Sequence, residues 1–196
     1  MLKASNVLIK NYICACQAPI SHKPMKGKSK KDRLIDLVES LSRPGTHAVV
    51  ELIKNSNFAS KFGGASHHRY RGGLVDHSLE VYEHMKEKAT GLDIPEESII
   101  ICSLFHDLGK LNGHKGHPAG SLAILDQCGF ELTPEERQAI ATHHKIDGAL
   151  DMDSLQSLLK RSDMLSTGEW QKKHPQPNTS LWKSLIKSVM GGYSKC

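Results

Sequence analysis

The pattern of apolar and polar residues along the chain predicts helices throughout. Apolar residues recur at the three- and four-residue spacing of one helix face, and no segment alternates as a half-buried β-strand does. The predicted helices cover residues 32–42, 47–53, 74–88, 95–105, 118–127, 134–144, a segment that ends near residue 166, and 181–189. We therefore expect an all-α fold, a helical bundle whose functional site lies in the helix core.

One predicted helix differs from the others because it is apolar on every face. Residues 99–105 carry little polarity, which is typical of a buried helix, and the adjacent pair His106 and Asp107 follows directly. An ionised carboxylate at the end of a core helix is costly unless something compensates its charge. A divalent cation could do so, because imidazole and carboxylate are good ligands for transition metals. A hydrogen-bonded His–Asp pair at a capped helix end is the alternative, and this stretch alone does not separate the two.

Capping signals indicate where several helices begin. Thr133 starts a capping box that ends at Glu136 and has a proline at the first helical position. Two glutamates after Pro95 provide the acidic first turn of the buried helix. Asp151 or Asp153 is expected to cap the helix that ends near residue 166.

Length and composition suit one domain with a sizeable core. The chain has 196 residues, of which we expect 1–31 to form a basic, weakly structured arm and 32–196 a single domain with its motifs between 66 and 167. No apolar run reaches the ~18–20 residues that span a membrane, so no membrane partner is expected. The five scattered cysteines do not resemble a disulfide framework, and a cytoplasmic location is therefore expected. The net charge of +5 is compatible with phosphate-bearing partners.

Histidines are concentrated in the middle of the chain. Nine of the twelve lie between residues 67 and 144, several of them at the end of a predicted helix where an apolar face meets a polar tip. Helices of a bundle direct such side chains into a common interior, which is how metal sites in bundles are built. The candidate ligands, in chain order, are His77, His106, Asp107, His117, His143, His144 and Asp163.

Five segments of this region resemble the HD-domain metal-dependent phosphohydrolase superfamily, an all-α family named after an adjacent His–Asp pair. The segments are Gly72-Gly-Leu-Val-Asp-His77, Leu104-Phe-His-Asp-Leu-Gly-Lys110, His117-Pro-Ala-Gly-Ser121, Thr142-His-His-Lys145 and Arg161-Ser-Asp-Met-Leu165. The resemblance implies a minimal metal site formed by His77, His106, Asp107 and Asp163. It also suggests a second metal position formed by His117 and His143, with His144 as a further candidate ligand and Asp107 as the bridge.

By the same resemblance, the cofactor would be a divalent transition metal, and the number of ligands favours two ions over one. Iron, manganese, nickel, cobalt and zinc all suit these ligands. The implied function is hydrolysis of a phosphoester of a nucleotide or related small molecule by a metal-activated hydroxide, with Asp107 and Lys110 as the catalytic residues. Lys110 is also the first candidate for a phosphate contact, although a lysine after a helix would equally suit the helix dipole. Arg69 and Arg71 could add phosphate contacts.

Two other functions remain open. A nuclease or phosphodiesterase on single-stranded nucleic acid would use the lysine-rich arm and the loop 67–71, which resembles a loop of HD domains in some 3′–5′ exoribonucleases. A nucleotide-sensing module would keep the metal site without turnover. The branch of the family that cleaves cyclic di-GMP carries a Tyr-Pro element after the double histidine; this chain lacks it, so that substrate is not expected.

Overall fold

The computed structural model describes residues 28–64, 66–145 and 151–168, and within these ranges every regular element is helical. The predicted all-α fold is therefore confirmed. Two short 3-10 helices, Phe58–Ser60 and Leu108–Asn112, connect the α-helices. The α-helices are α1 Lys30–Glu39, α2 Thr46–Asn55, α3 Gly73–Lys88, α4 Glu96–Phe105, α5 His117–Gln127, α6 Pro134–Thr142 and α7 Leu155–Ser166.

Helix α4 is the centre of the bundle, as its apolar sequence predicts. Every residue from Ser98 to Phe105 is buried, and the helix contacts α1, α3, α6 and α7. Helices α3, α6 and α7 also pack on one another, α3 on α7 and α6 on α7. The carboxyl end of α4 is therefore surrounded by side chains from three neighbouring helices.

A capping box that the periodicity did not reveal sets the start of α1. The hydroxyl of Ser29 accepts a hydrogen bond from the backbone N–H of Asp32, and the Asp32 carboxylate accepts one from the backbone N–H of Ser29. The helix thus begins at Lys30 and ends at Glu39, so the predicted bounds of 32–42 are wrong at both ends.

The predicted cap of α7 is also wrong. Ser154, and neither Asp151 nor Asp153, caps the helix, because its hydroxyl accepts from the backbone N–H of Ser157 at 3.2 Å. The Asp151 carboxylate instead accepts from the backbone N–H of Asp153 at 3.1 Å, which forms a turn before the helix. The start of α6 was predicted correctly, since Thr133 and Glu136 form the expected capping box.

A buried ion-pair cluster joins the turn after α1 to α4 and α6. Arg43 donates to Glu97 at 2.7 Å and to both carboxylate oxygens of Glu136 at 3.0 and 3.2 Å. The Glu136 side chain is fully buried and also accepts from the Ser98 hydroxyl at 2.7 Å. The capping glutamate of α6 is therefore also the anion that fixes α6 against the central helix.

Two predictions concern residues that the structure does not describe. The basic arm falls almost wholly on residues 1–27, and the amphipathic helix predicted at 181–189 lies beyond residue 168, both outside the described residues. Within the described ranges, no helix has the length and apolar character that crossing a bilayer requires.

Candidate metal centre

Asp107 lies at the centre of the predicted ligands. His106 and Asp107 follow the last residue of α4, where His77 of α3 and Asp163 of α7 meet them. All four residues are buried, and His77 and His106 have no exposed surface. Four polar side chains in the core of a helical bundle require mutual compensation or a bound ion.

These four residues are spaced like ligands of one cation, and we call their arrangement the inner position. Nε2 of His77 lies 3.2 Å from Nε2 of His106, 3.1 Å from Oδ1 of Asp163 and 3.3 Å from Oδ2 of Asp107. Nε2 of His106 is 3.4 Å from the same Asp107 oxygen and 3.9 Å from Oδ1 of Asp163. Ligand atoms at about 2.0–2.1 Å from a metal are roughly 3.0–3.4 Å apart, so all of these distances except the last fit a transition metal.

The other oxygen of Asp107 faces a second group of histidines, which we call the outer position. Its Oδ1 is 3.0 Å from Nε2 of His117 and 3.9 Å from Nε2 of His143, while Nε2 of His144 is 2.6 Å from Nε2 of His117. Among the described residues, Nε2 of His143 is buried without a hydrogen-bond partner, and Oδ1 of Asp107 is buried with His117 close by but not in hydrogen-bond geometry. Leaving such atoms unpaired is costly, and a cation between them would satisfy both.

The backbone orients three of the histidines in the same way. In each, Nδ1 donates to the carbonyl oxygen three residues earlier, which leaves Nε2 of the neutral ring as the coordinating atom. The pairs are His106 with Ser103 at 2.9 Å, His117 with His114 at 2.7 Å and His143 with Ile140 at 2.8 Å.

A close approach of two backbones brings His117 to Asp107. Any side chain at Gly109 would collide with the backbone of α5, including the carbonyl of His117, so the turn after Asp107 requires glycine there. The Ser121 hydroxyl accepts from the N–H of Gly109 at 2.8 Å and donates to the His106 carbonyl at 2.7 Å. These contacts hold the start of α5 against the end of α4.

The charges of the centre are strongly coupled. Burial by itself raises the pKa of Asp107, but the imidazoles around it, His106 first among them, outweigh burial and hold this pKa well below its usual range. The same balance, with His77 as the main partner, lowers the pKa of Asp163. Burial opposes the charged form of His77, yet its contacts with Asp107 and Asp163 raise its pKa to about 9. The folded protein thus keeps Asp107 and Asp163 ionised and favours positive charge between them, which a bound cation would supply.

A cavity of about 360 Å³ lies over the centre, with Asp107, Asp163 and His143 in its wall. Lys110 also lines it, and its ammonium group contacts Oδ2 of Asp107 and the Gly63 carbonyl. Lys160 is a second cation of the wall, which the sequence analysis missed. Its position three residues before Asp163 on α7 could have revealed it, since residues at that spacing share a helix face.

The predicted arginines lie elsewhere. Arg69 and Arg71 are exposed, and the described wall of the cavity does not include them, so their phosphate contacts stay a prediction. From the same loop it is His67 that reaches the cavity wall. His68 adopts a left-handed backbone conformation with a φ of +47°.

The structure brings together the seven predicted ligands and Lys110 but not the arginines.

The low pKa values of two histidines predict how acid affects the metal-free protein. Burial, together with repulsion from His106, lowers the pKa of His143 to about 3, and burial lowers that of His67 to about 4. The unfolded chain binds these protons near pH 6.5 and the folded chain does not, so stability is lost as the pH falls from 6.5. From His143 alone, we expect the free energy of unfolding of EDTA-treated protein to drop by about 2 kcal/mol between pH 6.5 and 4.5, measured by urea unfolding.

His77 does not offset this loss. Because its folded pKa is raised to about 9, its contribution is complete below pH 6.5 and disappears only as the pH rises through 9. The matched variant His143→Gln is expected to flatten the acid side of the profile. Equal stability of the parent protein at pH 6.5 and 4.5 would contradict the prediction.

The family comparison agrees with this geometry. Residues 74–168 match the model of the HD domain family, a range that runs from the second residue of α3 past the end of α7 and contains every candidate ligand. Neither a curated protein nor a solved structure matches the chain. The match confirms the family predicted from the five motifs: residues 74–168 are an HD domain, the domain of the HD superfamily of metal-dependent phosphohydrolases.

Proposed function

We propose that this protein is a phosphohydrolase that cleaves a phosphoester of a nucleotide or related small phosphorylated molecule. One observation carries the proposal: the two oxygens of the buried Asp107 face two separate sets of imidazoles beside a cavity of about 360 Å³. A carboxylate shared in this way suits two ions, and iron, manganese, nickel, cobalt and zinc all fit the ligands. A divalent ion supplies a water that is acidic at neutral pH and positive charge for the phosphoryl oxygens.

The chain's own residues bind and orient the substrate. Lys110 and Lys160 both line the cavity, and the ammonium group of Lys160 contacts the backbone carbonyl of Lys145. From there the two cations would attract a phosphoryl group and neutralise charge that develops on its oxygens. Asp107 and Asp163 are held in place by the helices around α4, so little reorganisation is required when the substrate binds.

A second candidate function has its own supporting observation. Phe62 and Tyr70 are both 48% exposed, and the exposed Arg69 and Arg71 lie on the same connection between α2 and α3, which also contributes His67 to the cavity wall. Aromatic side chains beside cations bind single-stranded nucleic acid by stacking and charge attraction. A nuclease acting on single strands would use this surface to deliver a phosphodiester to the centre.

A substrate panel tests the proposal. Manganese-reconstituted protein is assayed with nucleotides, other phosphomonoesters, cyclic phosphodiesters and single-stranded oligonucleotides. Phosphate release from the small substrates is the expected result. Cleavage of the oligonucleotides alone, with binding that weakens steeply as salt increases, would favour the nuclease instead. A protein that binds manganese but turns over none of these substrates would contradict both and favour the sensing module.

Lys160 should matter for this activity without affecting the metal. We expect Lys160→Met to lower kcat/KM by about 10- to 100-fold, because a hydrogen bond to a charged group contributes about 1.5–3 kcal/mol. Lys145→Met is the matched control, since Lys145 is exposed nearby but does not line the described cavity. Steady-state kinetics and metal content are measured on both variants. Unchanged kcat/KM in Lys160→Met would exclude the contact.

A further inference from the structure

We infer that Glu80 is a positioning residue that orients the candidate ligand His77 and connects it to the loop 66–72. This inference rests on the metal centre of the proposed function. Nδ1 of His77 lies 2.9 Å from the hydroxyl of Ser166, which donates to Oε2 of Glu80 at 3.1 Å. The same carboxylate oxygen is 3.0 Å from Nε2 of His68. The exposed Glu80 carboxylate thus has two branches of contacts. The first branch runs through Ser166 to His77, and the second runs to His68.

The direction of each hydrogen bond in the first branch follows from the chemistry of its groups. An ionised carboxylate only accepts, so the proton of the Ser166 hydroxyl is directed to Glu80. The serine oxygen is then left to accept from Nδ1–H of His77. Nε2 of His77 thereby becomes the coordinating atom, and it is the atom that faces Asp107 and Asp163. Outer partners of this kind fix the tautomer and ring orientation of metal-binding histidines.

His77 depends on the Ser166–Glu80 contact more than the histidines at the helix ends depend on an outer side chain. Those rings donate to a backbone carbonyl, which cannot turn away. The partner of His77 is a hydroxyl, which can rotate and can itself donate, so without Glu80 it could present its proton to Nδ1 and oppose the tautomer in which Nε2 coordinates. The Glu80 carboxylate removes that freedom.

The second branch holds the loop. His68 keeps a left-handed backbone with a φ of +47°, a conformation that costs a non-glycine residue free energy and persists only where its surroundings impose it. Its carbonyl accepts from the backbone N–H groups of Gly63 at 3.0 Å and Tyr70 at 2.9 Å, and its ring contacts Glu80. Nδ1 of His67 lies 3.2 Å from Nδ1 of His68, and His67 lines the cavity.

Manganese binding tests the first branch without any substrate. Equilibrium dialysis of Mn²⁺ against Ser166→Ala and Glu80→Ala is expected to show affinity about 10- to 100-fold weaker than the parent, the usual effect of losing an outer partner. Ser166→Thr keeps a hydroxyl and should retain parental affinity, which a role in packing alone would not predict. Glu83→Ala is the matched control, because Glu83 lies on the same helix with a side chain 52% exposed, against 50% for Glu80.

Limited proteolysis tests the second branch. Trypsin cleaves after exposed arginines, and Arg69 and Arg71 follow the tethered His68 in the loop. Glu80→Ala and His68→Asn are expected to accelerate cleavage there severalfold, whereas Ser166→Ala should not. Asparagine is chosen for position 68 because it tolerates the left-handed conformation while removing the imidazole.

The outcomes separate this inference from the proposed function. Parental manganese affinity in both Ser166→Ala and Glu80→Ala would overturn the positioning role and leave the phosphohydrolase proposal intact. Weakened manganese affinity in a protein that hydrolyses no substrate would support the role of Glu80 and count against the proposed activity. A parent protein that binds no manganese would overturn the metal centre and this inference together.

Discussion

Asp107→Ala is expected to lose both metal binding and hydrolytic activity. Asp107 contributes one oxygen to the inner position and the other to the outer position, so the substitution removes a ligand from both at once. It also leaves the buried ammonium group of Lys110 without its carboxylate partner, which further disfavours a cation nearby. Elemental analysis of the purified variant after manganese reconstitution measures the first effect, and phosphate release measures the second.

The control is a histidine outside the cluster. His47 is exposed on α2, so His47→Ala should keep the metal content and activity of the parent. Circular dichroism of Asp107→Ala checks that the helical fold is retained. A folded Asp107→Ala variant that keeps a full metal complement would refute the assignment of Asp107 as the shared ligand.

The second large effect concerns stability rather than chemistry. Arg43→Ala is expected to lower the free energy of unfolding by about 3–5 kcal/mol, because it leaves the fully buried carboxylate of Glu136 without its cation. Arg43 also donates to Glu97, so its loss loosens the turn after α1 from both α4 and α6. Urea unfolding of the metal-free variant at neutral pH measures the change.

An exposed ion pair is the comparison. Arg137 and Asp126 form a similar contact at 2.6 Å, but their side chains are 44% and 51% exposed. Arg137→Ala should therefore cost less than about 1 kcal/mol. If Arg43→Ala were as mild as Arg137→Ala, the buried cluster would not be an important support of the fold.

Much of the fold was predictable because helices are local structures. The apolar run of α4 and the capping box of α6 depend on residues within four positions of one another, and both predictions are confirmed. The errors at the helix ends were also local, because each concerned which short polar side chain caps the first turn. Ser154 rather than a neighbouring aspartate caps α7, and Ser29 starts α1 before the periodic apolar residues begin.

The sequence by itself determined the helical class, the family and the set of polar residues at the helix ends, because these follow from spacing and motif. Only the tertiary structure decided which atoms meet. The two oxygens of Asp107 separate two groups of histidines, and Lys160 joins the cavity wall, because α3, α6 and α7 pack on α4 and α5 packs on the 3-10 helix that follows it. Glu80 and Ser166 are 86 residues apart in the chain and within hydrogen-bond distance in the fold. A contact of this kind depends on the packing of α3 against α7, which the local spacing of residues does not specify.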